Sequence, residues 1–424
     1  MQKRWIKNFD ELATTKNRKL ALEIAEAGLT AIGTEDVILK SVKLENNILT
    51  VQDKSFDLNN FKRIKVVGFG KASCEAGLAL EKVLGDKISV GAIVGLHKVE
   101  CKYIETFAGT HPRPSEANIP AGKRIYEILK DSKEDDLIIV LVSGGGSALL
   151  NYPESEVAQG KMLYDNFLKS GKTINEINTV RKHLSLMKGG GLAKIAYPAT
   201  IIGLIFSDVP GDNFSEVASG ATYKDETTVA DAQKIIDEYG LGKYDLIETP
   251  KEDKYFEKVH NFVLVSNKMA VETMAQKAKE LGFKTDVVST DLYDEVEESL
   301  NRIFNKESDN TVVLAAGEPK LVVKKEGGSG GRQLYMGLEE IKMKIVDNDS
   351  VFIALASDGM DNSDAAGAIV DKKTFENIEK LGIDVKDYLE RFDAYPVFKK
   401  SGDMIMTGPT GANVSDLMIL LTKK

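Results

Sequence analysis

The chain has 424 residues, enough for two or three domains of ordinary size. Its net charge is −9 with no long basic run, which excludes nucleic acid as a main partner because backbone binding needs clustered Lys and Arg. The two cysteines, Cys74 and Cys101, leave no disulfide framework. No apolar run approaches the ~18 residues that span a bilayer, and the N-terminal stretch lacks a signal-peptide core, so a cytoplasmic protein is expected.

In chain order, Leu12, Leu20, Ile24, Ala27 and Ala31 recur near helical spacing and predict a helix over 8–33. Residues 35–60 read as hairpin material around Asn46-Asn47. RIKVVGFGKASCEAGLALEKVLG is strand, Gly-rich turn and helix; ISVGAIVGLHK is the next strand, followed by a Pro-rich loop over 111–120 and a helix. In DLIIVLVSGGGSALL, Leu137 to Val142 predicts a strand buried on both faces, ending in Ser143-Gly144-Gly145-Gly146-Ser147. Helices are expected over 155–170 and on both sides of Gly189–Gly191, then the strand ATIIGLIFSDV and a helix over 225–240.

The polar stretch 241–258 reads as a linker between a first domain, 1–240, and a second, 259–424. The second opens with the strand-helix-strand FVLVSNKMAVETMAQKAKELGFKTDVVST. TVVLAAGEPKLVV suggests a hairpin, GGSGGRQ precedes a helix, SVFIALASDGMDNSD ends in an acidic loop, and GDMIMTGPTGANVSDLMILL closes the chain. Strands alternating with helices of ten or more residues predict α/β architecture: a doubly wound, mainly parallel, Rossmann-like first domain plus a second α/β domain.

The Ser143–Ser147 turn aims several backbone N–H groups, and the start of a helix, at one point that suits a phosphate or carboxylate. Three other glycine loops, at Gly68–Gly70, Gly189–Gly191 and Gly327–Gly331, suggest convergence on one phosphate-handling site. Lys71 follows the first. Its loop is no nucleotide P-loop, because four residues should separate the glycines before Gly-Lys, and no dinucleotide fingerprint, because Ser73 replaces the last glycine and Leu96-His97-Lys98 stands where an acidic residue should. What remains is an ammonium reaching the same anion as the loop.

Asn178, Arg181, Lys182, Ser185 and Lys188 share one helix face that runs into Gly189 and Gly190, and Arg181 suits a carboxylate. Asp208 and Asp212 follow a strand, as do Asp358, Asp361 and Asp364, where carboxylates hold Mg²⁺ or act as base; the spacing does not fit an EF-hand. Glu318, after Ala315-Ala316-Gly317, and Arg332, after GGSGG, complete the candidates. The four histidines lack metal-ligand spacing, His111 reads as a loop residue, and no nucleophile elbow is present.

Taken together, VVGFGKAS, THPRPSEAN, LVSGGGSALL, INTVRKHLSLMKGGGLA, SDVPGD, VASGATYKDETT, AAGEPKLVV, GGSGGR, SDGMDNSDAAGAIVD and TGPTGANVSDL resemble one family, the glycerate 2-kinases that end in a MOFRL domain. The resemblance covers nearly the whole chain from about residue 18. It implies ATP-dependent phosphorylation of D-glycerate at its 2-hydroxyl, and two α/β domains with the active site in the cleft between them. Lys71 and Arg332 then become the main phosphoryl-transfer residues.

On that reading Ser143–Ser147, Arg181, Lys188, Gly189, Gly190 and Glu318 bind substrate or phosphate oxygens. Asp208, Asp358 and Asp361 are the Mg²⁺ candidates, with Asp208 also catalytic. The partners are glycerate and a nucleotide, with a homodimer left open. Two departures stand out: Gln333-Leu334-Tyr335 replaces the Asn-Gln-Glu that usually follows the arginine, and the acidic loop around Asp361 is one residue short. Some family members carry the label hydroxypyruvate reductase, so an NAD(P)H-dependent reductase is the alternative, as is a kinase of another small sugar acid.

Overall fold

The computed structural model describes residues 4–423 except 171–173, 210–212, 324–326 and 344–348, with backbone only for 168–170 and 174–175. The Asp212 carboxylate therefore lies outside the described residues. The chain forms two compact units: residues 34–264, and residues 265–424 joined by 1–33. No helix among the described residues is long and apolar enough to cross a membrane.

The 34–264 unit opens with a helix, Thr34–Ser41, and a three-stranded meander, β1 (Val42–Glu45), β2 (Ile48–Val51) and β3 (Lys54–Asp57). The meander confirms a turn at Asn46-Asn47, both at positive φ, but Val37 and Ile38 belong to the helix, whose buried face they form. A six-stranded sheet follows: β4 (Arg63–Phe69), β5 (Ile88–Gly95), β6 (Ile104–Ala108), β7 (Asp136–Ser143), β8 (Thr200–Phe206) and β9 (Val259–Val265), in the order β6-β5-β4-β7-β8-β9. The first five run parallel.

Every residue of β7 is buried, as expected for a strand covered on both faces. Alternation along the strands explains the covering. Ile93 and Leu141 face Gly77 of the helix Ser73–Leu84, whereas Ala92, Val140 and Val142 join the core of the helix Ile119–Lys130.

The second unit carries β10 (Lys284–Leu292), β11 (Thr311–Gly317), β12 (Ser350–Ala356), β13 (Gly367–Val370), β14 (Met404–Ile405) and β15 (Asp416–Thr422), ordered β10-β11-β15-β12-β13-β14. β10 and β11 are parallel; β15 is antiparallel to both β11 and β12. The hairpin expected over 311–323 does not form. β11 takes its partners from β10 and β15, and Val322 and Val323 stand exposed.

Two boundaries differ from the expected 1–240 and 259–424. The strand at 259–265 completes the first sheet, and 1–33 joins the second unit because the apolar face of the helix Lys16–Ile32 packs on the helix Asn267–Glu280, with Gly28 against Met274.

An ion cluster ties that N-terminal helix down. Arg18, 2% exposed, pairs with Asp371 at 2.6 Å and Asp403 at 2.8 Å and donates to Thr374 Oγ1 at 2.8 Å. Truncation would leave two buried carboxylates without a counter-charge. Arg18→Ala is expected to cost about 3–5 kcal/mol, read from urea unfolding monitored by circular dichroism.

Candidate active site

In the 34–264 unit, three neighbouring parallel strands end at one edge. Phe69 of β4 pairs with Val142 of β7, and Ser143 with Phe206 of β8, so Gly70-Lys71, Gly144–Ser147 and Ser207-Asp208 leave the sheet side by side. This is where open α/β sheets place their sites. The first two loops are joined by hydrogen bonds. Lys71 N–H donates to the Gly144 carbonyl at 2.8 Å, Ala72 N–H to Ser143 Oγ at 3.1 Å, and the Ser73 and Ser143 hydroxyls meet at 3.0 Å. Gly70, at φ +126°, has its Cβ space filled by Ser143.

The Ser143–Ser147 loop keeps N–H groups for a ligand. Gly145, at φ +79°, precedes the short helix Gly146–Leu149, and the N–H groups of Gly145, Gly146 and Ser147 meet no acceptor among the described residues. A Cβ on Gly145 would lie 2.9 Å from His111 Cδ2 and 3.1 Å from Lys71 Cγ, so those side chains flank the loop. The space beside Gly144 is filled by Asp208.

Two cations stand here without a carboxylate. Among the described residues Lys71 has no ion pair, and the Arg181 side chain bonds only Asn178 Oδ1, at 3.3 Å. Burial pushes the Arg181 guanidinium down to about 10. Burial, then the charges of Lys71 and Arg181, pushes His111 down to about 4, so the imidazole is neutral at physiological pH. A loop with open N–H groups beside two cations that lack carboxylates among the described residues has the chemistry to receive an anion.

Other residues read as anion ligands serve the scaffold. Lys188, 2% exposed, donates to the Leu150 carbonyl at 2.8 Å and pairs with Glu156. Gly189 and Gly190 donate their N–H groups to the Ser219 and Gly220 carbonyls at 2.9 and 2.8 Å. Those acceptors lie in Ala218-Ser219-Gly220, three successive residues at positive φ, and Ser219 Oγ meets Ser147 Oγ at 2.7 Å. The glycine loop thus supports the loop that supports Ser147.

In the second unit, Glu318 follows β11, Asp358 and Asp361 follow β12, and Asp416 starts the antiparallel β15, so register brings Gly317, Asp416 and Ala356 level at one sheet edge. Arg332 opens the helix Arg332–Met343; its Nη1 pairs with Asp416 and its Nη2 lies 3.5 Å from Glu318. Burial disfavours the Arg332 charge, but Asp416 and Glu318 hold its pKa above the usual guanidinium value. Burial pushes the Asp416 carboxyl up, and the Arg332 guanidinium draws it back towards its ionised form.

Asp361 does not fit its expected metal role. Its two oxygens accept the Gln333 and Leu334 N–H groups at 3.1 and 2.7 Å, capping the helix, and burial pushes it up to about 6. In the glycine loop before Arg332, Gly328 N–H donates to the Arg391 carbonyl and Ser329 N–H to Asp393. Asp358 Oδ1 accepts the Met360 N–H at 3.0 Å. Among the described residues no three His, Cys, Asp or Glu form a metal cluster.

The sequence marks His111 only as a loop residue and does not single out Asp416. The only signal for the first was its Thr-His-Pro loop. Nothing local marks the second, whose role depends on strand order.

A cation-lined strand edge on an α/β sheet and, in the second unit, an arginine among carboxylates suit the chemistry of small anions. Residues 20–249 match the family described as Domain of unknown function (DUF4147), and residues 311–416 match the MOFRL family. The chain is 35% identical to Glycerate 2-kinase of Pyrococcus horikoshii, over 95% of this chain and 98% of that one. It is 34% identical to D-glycerate 2-kinase of Thermotoga maritima, over 95% and 97%. The crystal structure of Glycerate kinase from Thermotoga maritima superposes with a TM-score of 0.83 at 31% identity, covering 95% of this chain and 99% of that chain. The chain belongs to the glycerate 2-kinase family.

Because His111 is held near 4 in the fold against about 6.5 when unfolded, the unfolded chain binds more protons between those values, and stability falls as pH drops from 6.5 towards 4. His111→Asn should flatten that part of the profile, measured by urea unfolding at stepped pH.

Proposed function

We propose that the protein transfers the γ-phosphoryl group of ATP to the 2-hydroxyl of D-glycerate, giving 2-phosphoglycerate and ADP. The observation that carries this, in a chain of this family, is the pair of cations Lys71 and Arg181, free of carboxylates among the described residues, beside the open N–H groups of Gly145–Ser147. Phosphoryl transfer needs positioning and charge more than covalent help from the protein.

In this reading Arg181 and the Ser143–Ser147 loop hold carboxylate or phosphate oxygens of the substrates. Lys71 acts on the transferring group, and Arg332 is the cation that the second unit offers to phosphate oxygens. Arg332 suits that role because Asp416 and Glu318 hold its charge firmly while fixing its plane. Neutral His111 adds no positive charge to the pocket, and as an imidazole it can accept or donate a hydrogen bond.

Mg²⁺ bound to phosphate oxygens needs only one or two protein carboxylates, and Asp208, set against Gly144 at the loop, meets that requirement, with Asp358 the candidate in the other unit. The ion would neutralise charge on the phosphates. Asp208 is placed at the loop to orient the accepting hydroxyl. Free Cys74 and Cys101 fit a cytoplasmic setting.

Nothing in the structure favours the reductase reading. β5 ends at Gly95 and leads into Leu96, His97 and Lys98, so the acidic residue that ends the second strand of a dinucleotide fold is missing from that position.

Incubation with glycerate, ATP and Mg²⁺ should yield ADP and phosphoglycerate, resolved by mass spectrometry. Lys71→Ala should lower kcat by about 10²–10³ with an unchanged circular dichroism spectrum. Near-wild-type turnover would remove Lys71 from the chemistry. NADH oxidation by hydroxypyruvate without ADP formation would overturn the kinase reading.

A further inference from the structure

The second unit holds a cavity of about 650 Å³ that the phosphoryl chemistry does not explain. Arg332 and Glu318 stand in its wall. The rest is a different surface. Val322 and Val323 are 57% and 51% exposed, and Tyr293 is 43% exposed, all three lining this one space. A single exposed valine needs no explanation, but several large apolar side chains around one concavity mark a binding surface.

Tyr335 and Phe392 also line it, with ring centroids 5.6 Å apart and planes within 19°. Phe392 reaches that stack from a backbone at φ +53°, two residues past the helix Val385–Glu390. A bulky residue is disfavoured there and glycine is the usual occupant. The strain is maintained where it brings an aromatic ring to the cavity.

A ligand for this space needs a flat apolar body and an anionic end near Arg332. Glycerate has no apolar body and is far smaller than the cavity. The geometry points to the nucleoside part of the phosphoryl donor: its aromatic base lies against the Tyr335–Phe392 stack and the Val322 wall, with its phosphates towards Arg332. This assignment rests on the kinase reading above and extends it to the unit and residues that select the nucleotide.

The test uses the full-length chain and a ribose-labelled fluorescent ADP. Phe392→Gly removes the ring while relaxing its positive φ, and Val322→Asp places a charge in the wall. Both variants should weaken probe binding on the order of tenfold, the usual worth of one base stack. The KM for ATP should rise in parallel, and the KM for glycerate should stay within twofold. The circular dichroism spectrum of Phe392→Gly should match that of the wild type, which separates lost binding from lost folding. Wild-type probe affinity in both variants would overturn the assignment, as would a wild-type chain that does not bind the probe. If the wild type phosphorylates glycerate while the variants keep their ATP KM, the pocket assignment falls and the kinase reading stands. If the wild type binds the probe, the variants lose it and no phosphoglycerate forms, the kinase reading falls and the pocket assignment stands.

Discussion

The first unit depends on a contact with no room in it. Gly70 leaves β4 at φ +126°, and the place its side chain would take is filled by Ser143 at the end of β7. Around that contact the loops after two adjacent strands are joined by Lys71 to Gly144 and Ala72 to Ser143. The consequence is geometric: Lys71 cannot move independently of the loop whose N–H groups it flanks. A side chain at position 70 would separate them. Because both strands are buried and parallel, their loops must emerge on the same edge, and the glycine allows them to touch there.

Charge is handled in opposite ways in the two units. At the first edge, Lys71 and Arg181 lack carboxylates among the described residues, and burial, reinforced by their charges, keeps the neighbouring imidazole neutral. At the second edge, Arg332 is matched by Asp416 and Glu318. Buried Asp416 would favour its protonated form alone, and the guanidinium beside it stabilises the ionised one. The first arrangement recruits an anion; the second fixes the direction of a cation.

The four glycine loops look alike as strings and differ in what their N–H groups do. Gly70 donates to the Val94 carbonyl and Lys71 to Gly144. Gly189 and Gly190 donate to the loop at Ser219 and Gly220. Gly328 and Ser329 are taken by the Arg391 carbonyl and by Asp393. At Gly145–Ser147, among the described residues, three successive N–H groups meet no acceptor.

The amino-acid sequence by itself determined the α/β class, the buried strand 137–142, the glycine turn at its end, and Lys71, Arg181 and Arg332 as the cations worth attention. Those signals are local: run length, turn chemistry and spacing act within a few residues of each other. Tertiary structure alone decided the rest. It placed residues 1–33 with the second unit, because the apolar face of one helix found its partner some 250 positions away at Met274. It turned Lys188 inward to Glu156, made Asp361 a helix cap, and set Asp416 beside Arg332 through an antiparallel strand inserted between β11 and β12. Whether a polar group meets a ligand or another part of its own chain depends on which distant segment fills the space in front of it, and local spacing carries no record of that.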